Sequence, residues 1–324
     1  MNLLITCVHL IRHLDKYISL LEKEGITVKA HTPHNQQFNS FEMANLLPGF
    51  NFIIAGDDEI TEKVINKSKS SGLKAIVKWG IGVDNIDKLA AKNNKIPIFN
   101  TPNVFGGEVA EQALSLILNL SRGTHIIDSE VRKGNWYKIE GNSIQGKNLG
   151  IIGFGSIGQA IALRAKAFGM EINFYDPFID KENFINQGFT KVQFQQLCQK
   201  SDFIVIACSL NKENKHLINK ESLSIMERKP YIINVSRGSL IKEVDLIQAI
   251  KDKKIKGAGL DVFETEPLPI SSELLTLKNC IFGSHNSSNT TESVMRVNDM
   301  TIEMIIKLAS KNHINQYFME RRVV

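Results

Sequence analysis

The sequence predicts an α/β protein made of two doubly wound parallel sheets, on three observations. Short β-rich runs alternate with helical stretches along the chain. The 324 residues, at about 150 per domain, suggest two domains. The alternation also runs as two series, the second starting near Leu149 beside a glycine-rich turn. Strand–helix alternation argues for parallel βαβ units buried on both faces. Composition agrees, because 43% hydrophobic and 23% charged residues exclude disordered, collagen-like and fibrous chains.

In the first series, strands are expected at Leu3–Val8, Thr27–Ala30, Phe52–Ala55, Ala75–Val77 and Pro97–Phe99. Helices are expected near Leu14–Glu24, Glu59–Ser68 and Asn85–Asn93. A longer helix is expected over Glu108–Arg122, where Val109, Ala113, Leu116, Ile117 and Leu120 keep a helical period. The second series offers strands at Leu149–Ile152, Glu171–Tyr175, Phe203–Ala207, Tyr231–Val235, Gly257–Leu260 and Cys280–Phe282, with helices between. A final amphipathic helix is expected over about Thr291–Leu308.

Lysine and arginine total 39 against 34 acidic residues, a net charge of +5. So small an excess demands neither nucleic acid nor membrane and suits a small anionic ligand. The charge-free stretch Asn148–Leu163 holds four glycines and is too short to span a bilayer. Met1–Ile11 has no basic segment and reads as a buried strand rather than a signal peptide. The four cysteines, Cys7, Cys198, Cys208 and Cys280, form no CxxC and no ligand spacing. No metal is expected, and a reducing cytoplasm is the expected compartment.

The run from Gly146 to Gly158 contains G-x-G-x-x-G at Gly153, Gly155 and Gly158. An apolar strand precedes it, a helix follows, and the next strand ends in Asp176. Gly153 allows a tight turn, Gly155 lets backbone approach a pyrophosphate, and Gly158 permits close helix–strand packing. The helix N-terminus at Ser156 and Ile157 offers N–H groups and a positive dipole end to phosphates. Asp176 is placed to accept from the adenosine ribose hydroxyls and to repel a 2′-phosphate. The cofactor expected is therefore NAD rather than NADP.

Three features downstream carry chemistry. Arg237 follows an apolar strand, where an open α/β sheet faces its ligand crevice, and can hold a carboxylate or polarise a carbonyl. Asp261 also lies at a strand end, with Glu264 and Glu266 in the loop beyond. His285 follows the last strand. A histidine there, oriented by a glutamate, is a proton donor suited to neutral pH.

The glycine fingerprint, the Asn-Val-Ser-Arg-Gly run ending at Gly238, the Leu-Asp-Val-Phe-Glu-Thr-Glu-Pro run from Leu260 and the late histidine together resemble the D-isomer-specific 2-hydroxyacid dehydrogenases. Within that family the phosphoglycerate dehydrogenase and hydroxypyruvate reductase branch is nearest. The resemblance extends to Trp79-Gly-Ile-Gly-Val-Asp-Asn-Ile-Asp87 and Arg132-Lys-Gly-Asn-Trp136, and so covers nearly the whole chain.

The resemblance implies a Rossmann NAD domain inserted into a flavodoxin-like substrate domain. Residues 1–100 with 290–324 would form the substrate domain and residues 101–289 the NAD domain, with closure about a hinge excluding water. Arg237 would bind the substrate's carboxylate and carbonyl oxygen. His285 would exchange the proton, and Glu266 would be its acidic partner, leaving Glu264 a bystander. Asp261 would bind the nicotinamide carboxamide. Backbone N–H groups around Gly80, Ile81 and Gly82, next to Trp79, would hold the substrate carboxylate, with Lys78 a candidate for an extra anionic group such as phosphate. A homodimer is implied, as is reversible hydride transfer between NAD(H) and a small D-2-hydroxy or 2-keto acid, 3-phosphoglycerate among them. Glyoxylate or hydroxypyruvate reduction, phosphite oxidation and an NAD-sensing corepressor-like protein are the alternatives. Glu266, where formate dehydrogenases carry glutamine, argues against that activity. No carboxyl-terminal regulatory domain is expected. The chain departs from the family in Ser284-His285-Asn286-Ser287-Ser288, where a proline usually stiffens the turn before the histidine.

Overall fold

The structure is a computed structural model that describes every residue except 35, 180–183, 185–186 and 311–320. The chain divides into two compact units, Met1–Val104 with Thr290–Val324, and Phe105–Asn289. The first unit thus takes both ends of the chain and the second takes the middle. Residues 311–320 of the substrate domain expected from the sequence lie outside the described residues.

The first unit holds a five-stranded sheet of β1 (Asn2–Ile5), β2 (Thr27–Ala30), β3 (Phe52–Ala55), β4 (Ala75–Lys78) and β5 (Ile98–Phe99), in the order β2-β1-β3-β4-β5. Every neighbouring pair is parallel. Strands β3 and β4 are buried along their whole length, as a sheet covered on both faces requires. Their Ile53, Ala55 and Ile76 meet Leu4, Val64, Ile65 and Ala91 in one apolar core. The order reverses between β1 and β3, so the ends of these two strands flank the sheet's topological switch point.

One expected boundary is corrected here. The apolar run Leu3–Val8 is not strand throughout, because β1 stops at Ile5 and a short helix occupies Val8–Ile11. An unbroken apolar run carries no period that separates strand from helix. Asp58 decides the break by accepting from the Thr6 hydroxyl at 2.6 Å beside the turn. The sequence reading also passed over the helix Ser40–Leu46, although its Asn39–Glu42 capping box is complete.

The second unit holds seven parallel strands: β6 (Asn148–Ile152), β7 (Glu171–Tyr175), β8 (Phe189–Lys191), β9 (Phe203–Ile206), β10 (Tyr231–Asn234), β11 (Gly257–Leu260) and β12 (Cys280–Phe282). Their order is β12-β11-β10-β9-β6-β7-β8, with the reversal between β6 and β9. The helix Gly106–Arg122 buries Val109, Ala113, Leu116, Ile117 and Leu120. A Cβ at Gly259 would stand 3.0 Å from Leu116 Cβ, so the glycine lets this helix lie close on β11. Strand β8 and the helix Thr124–Arg132 were not expected: β8 has three residues, and the helix buries none of its own. The fold class expected from the sequence, two doubly wound parallel sheets, is the one observed.

Candidate active site

The glycine run leaves β6 and enters the helix Ser156–Ala167. Gly153 has φ +90°, and a Cβ there would lie 2.5 Å from the Cys208 backbone, so only glycine fits. A Cβ at Gly158 would lie 2.2 Å from the Gly153 carbonyl oxygen, which keeps the helix pressed on the turn. Gly155 differs, because nothing lies within 4 Å of where its Cβ would be. No side chain caps this helix start either. Open space therefore meets the N–H groups of Ser156 and Ile157 where the helix dipole is positive, a cradle that fits a pyrophosphate.

Asp176 follows β7 and is half-buried. One carboxylate oxygen accepts from the Phe154 N–H at 2.8 Å and the other from the Phe178 N–H at 2.9 Å. The aspartate thus ties the glycine turn to the end of the next strand. Its remaining lone pairs can take ribose hydroxyls.

Arg237, Glu266 and His285 follow β10, β11 and β12, three neighbours at the carboxyl edge of one sheet. Asn234 shapes the arginine loop, its side-chain amide donating to the Arg237 carbonyl at 2.9 Å and its oxygen accepting from the Ser236 N–H at 3.1 Å. Ser236 donates in turn to the Cys208 carbonyl. A Cβ at Gly238 would meet the Phe263 carbonyl carbon at 1.8 Å, so the arginine loop touches the β11 loop through glycine.

His285 Nδ1 lies 2.7 Å from Glu266 Oε2. Glu266 Oε1 accepts from the Phe263 N–H at 2.9 Å, which fixes the carboxylate. The carboxylate selects the tautomer with hydrogen on Nδ1. Glu264 instead pairs with His216 at 2.6 Å and accepts from the Glu243 N–H at 3.0 Å, anchoring the same loop.

His285 has φ +55°, a left-handed backbone that is costly for a residue with a side chain. The buried Asp261 holds it there. Its carboxylate accepts from the N–H groups of Asn286 (3.0 Å) and Ser287 (2.8 Å) and from the Ser287 hydroxyl, while its carbonyl accepts from the His285 N–H at 2.7 Å. The stiffness that Ser284 lacks therefore comes from Asp261. Three of about four acceptor positions on this carboxylate are filled by the turn.

In the first unit, Lys78 ends β4 and is buried. Its ammonium donates to Asp57 Oδ1 at 2.8 Å and to the Trp79 carbonyl at 3.3 Å. The Trp79 indole N–H donates to Asn298 Oδ1 at 2.8 Å, and the ring stacks on His9 with centroids 4.7 Å apart. Gly80 has φ +118° and donates its N–H to Thr101 Oγ1 at 3.1 Å. The N–H groups of Ile81 and Gly82 have no partner among the described residues, so they are the donors available to a carboxylate. Asp57, His9, Thr101 and Asn234 were missed from the sequence. Only the strand-end position of Asp57 and Asn234 could have flagged them.

The family model for D-isomer specific 2-hydroxyacid dehydrogenase, NAD binding domain, matches residues 114–287. The chain belongs to the D-isomer specific 2-hydroxyacid dehydrogenases. Among similar proteins, the D-3-phosphoglycerate dehydrogenase of Methanocaldococcus jannaschii is 38% identical over 295 residues. That match covers 90% of this chain but 55% of the relative, so the chain spans about half that protein's length. The hydroxypyruvate reductase of Thermotoga maritima is 34% identical over 307 residues, 93% of this chain and 97% of the relative. Among solved structures, D-lactate dehydrogenase from Aquifex aeolicus complexed with NAD and lactic acid is similar, with a TM-score of 0.89 and 25% identity over 100% of this chain and 99% of that one. This member of the dehydrogenase family is accordingly an oxidoreductase with an NAD-binding domain. Among the described residues, no helix is long and apolar enough to cross a membrane.

Proposed function

We propose that the chain reversibly reduces a small 2-keto acid to the D-2-hydroxy acid with NADH. The observation that carries this reading is the His285–Glu266 pair beside Arg237, on the same sheet edge as the open Gly155 cradle. Gly153, Gly155, Ser156, Ile157, Gly158 and Asp176 would hold NAD, which when bound would supply or accept the hydride. In reduction, Nε2 of His285 gives its proton to the carbonyl oxygen while Nδ1–H stays bonded to Glu266. The Arg237 guanidinium binds the substrate's carboxylate and stabilises charge developing on that oxygen. Asp261 holds the His285 turn and keeps one acceptor position, on Oδ1, for the nicotinamide carboxamide. The Ile81 and Gly82 N–H groups, next to Trp79, are assigned to the substrate carboxylate.

His285→Ala should lose about 10²–10⁴-fold in kcat while keeping NADH affinity. Wild-type turnover by that variant across small 2-keto acids ends the reading. NADPH in the same assay tests the preference assigned to Asp176, which predicts poorer use of it.

We also propose a cytoplasmic homodimer. The second unit exposes Trp136 (85%), Tyr137, Leu163 and Phe168, and its helix Thr124–Arg132 buries nothing of its own. A second copy of the chain covers these apolar groups. Light scattering after gel filtration should give twice the chain mass, and a monomer at micromolar concentration rejects it. All four cysteines are free, and burial raises the thiols of Cys7 to about 12 and of Cys280 to about 11. Free buried thiols suit a reducing compartment, and cell fractionation checks the placement.

A further inference from the structure

The first unit ends three adjacent strands in chemistry that the hydride-transfer mechanism leaves unused. His9 follows β1, Asp57 follows β3, and Lys78 closes β4. The first two flank the switch point of the sheet, where open α/β folds take their ligands. From Lys78 the chain runs through Trp79 and Gly80 to Ile81 and Gly82, whose N–H groups have no partner among the described residues.

The acidic run Asp57-Asp58-Glu59 is not uniform. Asp58 is buried and accepts from the Thr6 hydroxyl (2.6 Å) and from the N–H groups of Phe38 (3.0 Å) and Gly56 (3.1 Å). Glu59 accepts from the Ser40 N–H at 2.9 Å. Both shape the loop, and Asn85 ties it down by donating to the Asp58 carbonyl at 2.7 Å. Asp57 rides on this pinned loop and directs its carboxylate to an ammonium that is 4% exposed. A buried ammonium is strongly destabilised without a counter-charge, so Lys78 needs either this carboxylate or an anion from outside.

We propose that Asp57 is a built-in counter-ion that fills the anion position of Lys78 and thereby restricts the enzyme to 2-keto and 2-hydroxy acids whose far end is uncharged. A phosphate or second carboxylate carried into this place would meet a lysine already neutralised and an aspartate that repels it. His9 adds no second cation. Burial, followed by the Arg12 charge, holds its imidazole below the ordinary range, and its ring lies flat on Trp79. The selected class is short acids with hydrogen or a hydroxyl at the far end. The proposal rests on the keto-acid reading above and narrows it.

The test compares hydroxypyruvate with 3-phosphohydroxypyruvate, one carbon skeleton without and with the phosphate, by NADH oxidation. The wild-type enzyme should prefer the unphosphorylated acid about tenfold or more in kcat/KM. Asp57→Asn should move that ratio about tenfold or more toward the phosphorylated acid, mainly through KM, because a charge-assisted contact becomes available. Adding Lys78→Met to Asp57→Asn should reverse the shift. Calorimetric titration with inorganic phosphate reads the same cation without turnover: Asp57→Asn should gain a heat that the wild type and the double variant lack. Thermal melting shows whether each variant is folded, and Asp57→Ser replaces Asp57→Asn should the latter not fold.

Wild-type preference for the phosphorylated acid overturns the proposal. So does a folded Asp57 variant that neither shifts the ratio nor binds phosphate. Phosphate binding gained by the variant of a chain that reduces neither acid supports the counter-ion and rejects the keto-acid reading instead.

Discussion

The carboxyl edges of the two sheets occupy the same architectural place and solve it in opposite ways. In the second unit the edge is kept open with backbone: Gly155 leaves room, no side chain caps the helix start, and Asp176 ties the turn. In the first unit the edge is filled with side chains: Lys78 meets Asp57, and Trp79 meets His9 and Asn298. NAD and NADP carry the same pyrophosphate, so backbone N–H groups and glycine suffice to take it. A substrate differs between members of a family, so selection falls to side chains that can change one at a time.

Substitution at the glycines should have the largest effects. Gly158→Ala forces a Cβ to 2.2 Å from a carbonyl oxygen and should cost about 1–3 kcal/mol of stability, read as a lower Tm. Gly155→Val meets no protein atom at its Cβ, so it should leave Tm nearly intact while weakening NADH binding about tenfold or more. If Gly155→Val melts early and binds NADH normally, the edge is not an open cradle.

A smaller effect is expected in the first unit. The depressed pKa of half-buried His9 means that the native state takes up its proton less readily than the unfolded chain does. Stability from this residue is therefore intact above the ordinary histidine value of 6.5 and falls as pH drops below it. His9→Asn should flatten that part of the acid-side decline in a urea midpoint series. An unchanged slope would mean that the ring is not packed against Trp79 as described.

Much of the second unit was legible in the sequence, because its devices are local. A glycine fingerprint, a strand and an acid at its end lie within one βαβ stretch, and the spacing alone carries the geometry. Arg237, Glu266 and His285 were legible as strand-end residues with suitable chemistry. The Asp261 clamp on the His285 turn was not, since it depends on which strand lies beside which and on a positive φ that no residue type announces. In the first unit Lys78 and Trp79 were visible, but their partners were not. Asp57 lies 21 residues before Lys78 and Asn298 lies 219 residues after Trp79, and no local pattern links such distances.

Two parallel α/β sheets, a dinucleotide turn and a set of candidate acids and bases follow from the amino-acid order alone, because strand period, glycine spacing and residue chemistry act over a few neighbours. Which charges cancel is settled in the folded molecule. Whether Lys78 is a waiting cation or half of a closed pair depends on β3 lying against β4, and that adjacency is set by packing the whole sheet.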